Sequence, residues 1–118
     1  MMSAAAVDQL RFGAHTWRLL GPYLGEVNLC IGAGRNTEPG FINHDRVEGP
    51  NIDVVLDLER CAHDIRLPGF GTGSVDCVLA SHVLEHITHL IPVMREIHRV
   101  LKPGGVLFAV TPHASSAR

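Results

Sequence analysis

The stretch "SVDCVLASHVLEHI", residues 74–87, decides how this chain is to be read. Its first part, "SVDCVLAS" (74–81), is a short, nearly continuous apolar run, the pattern of a strand covered on both faces. Its second part sets His82, Glu85 and His86 among good helix formers, with His89 close behind and no breaker until Pro92. A strand passing directly into a helix at Ser81-His82 is therefore expected. Inside the stretch, "HVLEH" also matches the HxxEH pattern of one class of zinc peptidase, in which two histidines spaced i,i+4 hold the metal and the glutamate acts as base.

Outward from this point the same kind of strand recurs. "VNLCI" (27–31) ends at glycines, "FINHD" (41–45) ends in a carboxylate, and "IDVVLDL" (52–58) and "VLFAV" (106–110) complete a set of about five. Between the last two, "IPVMREIHRVLKPGG" places Ile91, Met94, Ile97 and Leu101 on one helical face and Arg95, His98, Arg99 and Lys102 elsewhere. Pro103-Gly104-Gly105 ends that helix. An amphipathic opening helix is expected over 3–22, with Ser3 as cap, Val7, Leu10, Ala14 and Trp17 at helical spacing, and Gly21-Pro22 as stop. Short buried strands separated by helices or loops predict an α/β fold with a parallel sheet covered on both faces. One link is anomalous: "RNTEP" (35–39) is too short for the dozen or more residues of a helical crossover between parallel strands.

Composition bounds the function classes. With 118 residues, 46% hydrophobic and 19% charged, the chain is expected to form a single globular domain over 1–118. No apolar run approaches the roughly 20 residues of a membrane span. "MMSAAAVDQLRF" has no basic start before a long apolar stretch, so a cytoplasmic location is expected. A net charge of −2 with scattered arginines gives no basic stripe for nucleic acid. Cys30, Cys61 and Cys77 never form CxxC, which points to ordinary thiols rather than a disulfide framework or a sulfur-ligated metal.

The chemistry concentrates at strand ends. "CIGAGRN" supplies Gly32 and Gly34, which allow close approach of backbone to a ligand. A dinucleotide fingerprint would want a third glycine where Thr37 stands and an acid about 20 residues on, whereas Asp45 arrives eleven residues after Gly34. Nicotinamide chemistry is thereby disfavoured. Asp45 and Asp57 close the next two strands, and in an open parallel sheet ligands sit outside the carboxyl ends of strands, where such an acid takes both hydroxyls of a ribose. A nucleoside-shaped site is expected there.

With "IGAG" (31–34), "PGFINHD" (39–45), "DVVLDL" (53–58), "LP" (67–68), "SVDCVLASHVLEHI" (74–87) and "RVLKPGGVLFAV" (99–110) in this order, the chain resembles the class I S-adenosylmethionine-dependent methyltransferases, specifically the small type 11-like group. The resemblance spans about Val27 to Pro112, the core of the domain (27–112). It implies a Rossmann-like doubly wound sheet of order 3-2-1-4-5, and it accommodates the short "RNTEP" link. It further implies that Gly32, Ala33 and Gly34 border the amino-acid part of S-adenosylmethionine, Asp45 holds the ribose hydroxyls, and Asp57 with Leu58 borders the adenine. Asp64 is a rival for the adenine-side acid. Ser81 and His82 would face the methyl donor, and His82 is the candidate to take a proton from a hydroxyl acceptor.

Two departures from the family stand out: Cys30 occupies the position where the family has an acid or Asn for the cofactor's ammonium, and the chain stops soon after its fifth strand, without the usual C-terminal antiparallel pair. The fifth strand is then an exposed edge, open to a second copy or a partner protein. An enzyme acting on an unidentified acceptor is the first expectation, with a truncated or non-catalytic, partner-dependent module as alternative and a zinc site as a remote third. No metal ligand is assigned, because the strand-to-helix context around "HVLEH" follows the methyltransferase pattern. Beyond His86 the one carboxylate side chain is Glu96, for which a solvated helical face is the ordinary explanation. His86 and His89 are expected to pack or face water, and His44, His63, His98 and His113 to be surface or packing residues, His44 being notable for adjoining Asp45.

Overall fold

A computed structural model of the chain describes residues 19–35, 37–59 and 65–110. Most of the opening helix, together with Cys61, His63, Asp64 and His113, lies outside the described residues. Five strands, β1 (Asn28–Ile31), β2 (Ile42–Asp45), β3 (Val54–Val55), β4 (Val75–Ser81) and β5 (Leu101–Val110), form one sheet of order β3-β2-β1-β4-β5. Every pairing is parallel. The Rossmann-like topology expected from the sequence is thus the observed one. Among the described residues no helix is long and apolar enough to cross a membrane.

Of the apolar runs read as strands, β1 and most of β4 are buried on both faces, whereas β5 is half-buried to exposed along its length and β3 has one half-buried and one exposed residue. One face carries Leu29, Ile31, Val78 and Ala80 beneath Val93, Ile97 and Val100 of helix α1 (Leu90–Val100), with Leu58, Ile65 and Leu67 filling the same layer. The other face carries Cys30, Cys77 and Leu79 against Leu20, Leu24, Ala33 and Phe41. Side chains two apart along a strand share a face, so Leu29 with Ile31, and Val78 with Ala80, look one way while Cys77 with Leu79 look the other.

Local structure departs from the sequence expectation in four places. The helix expected from His82 does not form there. Instead His82 takes a left-handed conformation, with φ of 54°, and donates its N–H to Val110 O at 2.6 Å. A single 3-10 turn over Leu84–His86 follows, and α1 begins only at Leu90. The His82 N–H is engaged by β5, next to the Ser81–Val110 pair, so the chain is still tied to the sheet where the helix was expected to start. Pro92, expected to end a helix, sits in the first turn of α1, where a missing N–H costs no intrahelical bond. Consistent with that shift, Ile91 is 68% exposed rather than facing the core.

The second departure is at the other end of α1. Leu101 belongs to β5, and "KPGG" is a bulge within that strand. Val75 pairs with Leu101 and Cys77 with Val106, so two steps along β4 match five along β5. Gly105 is packed so closely that a Cβ would meet Lys102 O at 2.9 Å and Asp76 O at 3.1 Å. Third, β3 is only two residues long, shorter than the run "IDVVLDL" implies.

Fourth, Glu96 is buried rather than solvated, with 5% exposure. It accepts Leu67 N–H at 2.6 Å and both Nε and Nη2 of Arg99 at 2.6 Å, while Arg99 Nη2 also donates to Phe70 O at 3.0 Å. Burial opposes ionisation, but the hydrogen bonds from Arg99 and Leu67 prevail and hold the Glu96 carboxyl below its ordinary range. The pair thereby ties the loop before β4 to the helix.

The short β1–β2 link needs no helix because Asn43 replaces one. Its side-chain amide accepts Glu38 N–H at 3.0 Å and donates to Glu38 O at 3.1 Å and Phe41 O at 3.3 Å. A single buried amide thus satisfies three backbone groups of the turn.

Removing the buried carboxylate should be costly. Glu96→Ala is expected to lower unfolding free energy by about 3 kcal/mol, because it leaves the Leu67 N–H without its acceptor and takes from the Arg99 guanidinium its carboxylate partner. Urea unfolding followed by circular dichroism measures this, and a loss within error of wild type would contradict the assigned role. Since the native carboxyl titrates below its unfolded value, this contribution is present above about pH 4.5 and is lost as pH falls through the native pKa.

Candidate functional site

At the carboxyl ends of the strands the chain has to reverse four times, and these reversals enclose a cleft of about 380 Å³. After β1 the loop turns through Gly32 and Gly34, with φ of 67° and 55°, a region that side chains disfavour. Gly32 also permits a close approach, since a Cβ there would lie 2.6 Å from Val83 Cγ2 in the turn after β4. β2 delivers Asp45 and Arg46 to the cleft, and the segment after β3 delivers Leu56, Asp57, Leu58 and Glu59. Across from them stand His82, Val83, His86 and Ile87.

Of the residues singled out in the sequence, Gly32, Asp45, Asp57, Leu58 and His82 therefore meet in one cleft. Asp45 Oδ2 accepts Val47 N–H at 3.4 Å, and Asp57 Oδ1 accepts Glu59 N–H at 3.0 Å. Each carboxylate keeps an oxygen with no described hydrogen bond. Leu58 is buried and forms a wall continuous with the core. Ala33, Gly34 and Ser81 do not line the cleft. Ala33 packs beneath the loop, its N–H donating to His44 O at 2.8 Å, and Ser81 pairs with Val110 in β5.

His44 is the residue whose importance the sequence understated. It is 2% exposed, and both ring nitrogens are engaged: Nδ1 accepts Gly32 N–H at 3.1 Å, and Nε2 lies 2.8 Å from Leu56 O. A backbone N–H can only donate and a carbonyl can only accept, so the ring is neutral with its proton on Nε2. Burial lowers its pKa, against the opposing pull of the Leu56 carbonyl and the Asp45 charge. The available signal was a run of polar residues, "NHD", in a strand expected to be buried, where each polar group must find a partner.

Glu59 and Thr88 are a second pair that the sequence did not reveal. Thr88 Oγ1 donates to one carboxylate oxygen of Glu59 at 2.8 Å and its N–H donates to the other, joining the segment after β3 to the segment before α1. These bonds hold the Glu59 carboxyl below its usual range.

"HVLEH" does not build a metal centre here. Glu85 Oε2 lies 3.8 Å from His82 Nδ1 and 4.0 Å from His86 Nε2, but the left-handed His82 and the 3-10 turn remove the α-helical face that the pair would need. Among the described residues no three His, Cys, Asp or Glu side chains are placed to hold a metal ion. Cys30 and Cys77 are free and buried. Burial, with a contribution from Glu38, pushes the Cys30 thiol up to about 12, and burial with Asp76 pushes Cys77 to about 11. Both are neutral and poor nucleophiles at physiological pH.

Residues 29–109 match a family model described as "Methyltransferase domain". A highly reducing polyketide synthase of Calcarisporium arbuscula is 43% identical over 56 residues, which are 48% of this chain and 2% of the synthase. Among solved structures, a trans-methyltransferase, CalH, in complex with SAH has a TM-score of 0.53 at 24% identity, covering 77% of this chain and 33% of that one. An S-adenosylmethionine-dependent methyltransferase from Mesorhizobium loti has a TM-score of 0.56 at 20% identity, covering 91% of this chain and 56% of that one. The chain thus spans a third to just over half of these solved relatives. Sheet order, strand-end cleft and family match agree: the chain belongs to the methyltransferase domain family and has the class I S-adenosylmethionine-dependent methyltransferase fold.

Proposed function

We propose that the chain binds S-adenosylmethionine in the strand-end cleft and transfers its methyl group to an acceptor nucleophile. The observation that carries this reading is the convergence of Gly32, Asp45 and Asp57, at the ends of three adjacent strands, on one cleft. Asp45, with an oxygen to spare, accepts hydrogen bonds from the two ribose hydroxyls. Asp57 and the Leu58 wall border the adenine, with Asp64, outside the described residues, as the rival acid. Gly32 borders the amino-acid end through its backbone, with Ala33 and Gly34 continuing the same loop behind the cleft lining, and Ser81 ends β4 next to His82 on the donor side.

The cofactor supplies an electrophilic methyl on a sulfonium. Displacement there is in line, so the protein's main contribution is to hold nucleophile and methyl carbon close and aligned. In this reading His82 receives the proton of a hydroxyl acceptor, a role supported by its 58% exposed side chain at the cleft, beside Glu85. Its left-handed backbone is a local strain of the kind that collects at functional sites.

A second reading, a non-catalytic or partner-dependent module, is favoured by two specific observations. Cys30 is neutral where an ammonium would be met by an acid, and β5 is an edge of the described sheet with Ala109 exposed. A second copy or another protein pairing along β5 would cover that edge.

Titration calorimetry with S-adenosylhomocysteine separates the two. Saturable binding by the wild-type chain is expected, with Asp45→Ala weakening it on the order of 10-fold or more through loss of charge-assisted hydrogen bonds. Equal affinity in the variant would remove Asp45 from the ribose. With a hydroxyl acceptor in hand, His82→Ala should reduce turnover at saturating cofactor roughly 100-fold. Undiminished turnover would eliminate His82 as the base.

A further inference from the structure

We propose that His44 is a positioning residue for the cofactor cleft: its imidazole fixes the Gly32 amide and the Leu56 carbonyl relative to each other, and cofactor binding requires its neutral form. The inference rests on the reading of the cleft as the S-adenosylmethionine site. Its basis is geometric. β2 lies between β1 and β3, and His44 spans from the loop after β1 to the segment after β3, with hydrogen bonds of 3.1 Å and 2.8 Å. The same residue's carbonyl accepts Ala33 N–H at 2.8 Å, so the glycine loop is held to His44 at two successive amides.

Those two anchored segments carry opposite ends of the candidate ligand. Gly32 begins the loop expected against the amino-acid part, and Leu56 precedes the Asp57-Leu58 pair expected against the adenine. Asp45, expected at the ribose between them, is the next residue of β2. One buried ring thus sets the spacing of the whole nucleoside frame, and pre-set spacing spares the ligand the cost of ordering the loop.

Protonation would dismantle this arrangement. A second proton on the ring would sit on Nδ1 and face the Gly32 N–H, turning an acceptor into a donor opposed to a donor. The titratable and charged groups lining the same cleft are Asp45 at the end of β2 and Arg46 just after it, Asp57 and Glu59 from the segment after β3, and His82 and His86 from the turn after β4. The loop after β1 brings only Gly32. Of these groups Asp45 favours the protonated ring, and burial outweighs it.

The test combines calorimetry with nitrogen-resolved NMR of the His44 ring in the full chain. His44→Leu, which removes both bonds and strands the Gly32 N–H, should weaken S-adenosylhomocysteine binding on the order of 10-fold or more. His44→Asn, whose Oδ1 restores an acceptor for Gly32, should recover part of that loss. In the wild type the ring should be the Nε2–H tautomer and titrate below about 6.5. Saturating S-adenosylhomocysteine should move that titration further down, because a ligand that prefers the neutral form must by linkage stabilise it. A ring that serves stability alone would titrate identically with and without ligand.

Wild-type binding with an unshifted His44 titration, or with undiminished affinity in His44→Leu, overturns the positioning role and leaves the cofactor site standing. A folded wild-type chain that binds no S-adenosylhomocysteine overturns the cofactor site and this role with it. Should His44→Leu not fold, the ligand-induced shift in the wild-type ring decides alone.

Discussion

Burial of β1 and β4 on both faces is the constraint from which the rest of the structure follows. Asn28–Ile31 is buried at every position, and five of the seven residues of β4 are buried as well. Strands so placed cannot satisfy their backbone groups with water, so they must be paired on both sides. β1 lies between β2 and β4, and β4 between β1 and β5. Parallel pairing in turn sends every connection back to the opposite end of the sheet. The reversals at the carboxyl ends are then left free of pairing duty and gather into a cleft.

Polar residues within this frame serve as fasteners. Asn43 closes a link too short for a helix, His44 joins the segments on either side of β2, and Glu96 with Arg99 pins the loop carrying Leu67 and Phe70 onto α1. At the far end of the sheet Asp76 does similar service, accepting Val27 N–H at 3.0 Å and Lys102 Nζ at 3.1 Å. Each fastener is a hydrogen-bonding side chain in a place where an apolar one would pack but leave backbone groups unsatisfied. One side of the cleft is thus framed by the ends of β1, β2 and β3, and the other by a 3-10 turn and the Glu59–Thr88 contact.

Cys30 occupies a buried position near the carboxyl end of β1, one of the cleft-forming strands, without carrying a charge. Its side chain packs with Ala33, Phe41 and Cys77 in a dry layer, and its thiol is neutral. A carboxylate in that layer would face a large desolvation cost unless a cation or hydrogen bonds met it. Under the proposed function, the amino-acid end of the cofactor is then held by backbone groups of the glycine loop rather than by an acid on β1.

Sequence by itself determined the strands, their order by family resemblance, the glycine turn and the placement of Asp45 and Asp57 at strand ends. Those features rest on local pattern: continuous apolar runs, helical spacing in "VMREIHRV", and acids or glycines where a run stops. Tertiary structure decided what depends on partners distant in the chain. The histidine-rich stretch became a left-handed residue and a 3-10 turn because β5 captures His82 N–H from 28 residues away. Glu96 became a buried clamp because a loop 29 residues earlier presents Leu67 N–H to it. His44 left the list of ordinary packing histidines only when two other strand ends met it. Local pattern records which side chains avoid water, whereas the partner of a buried polar group is fixed only when the sheet has brought separate segments together.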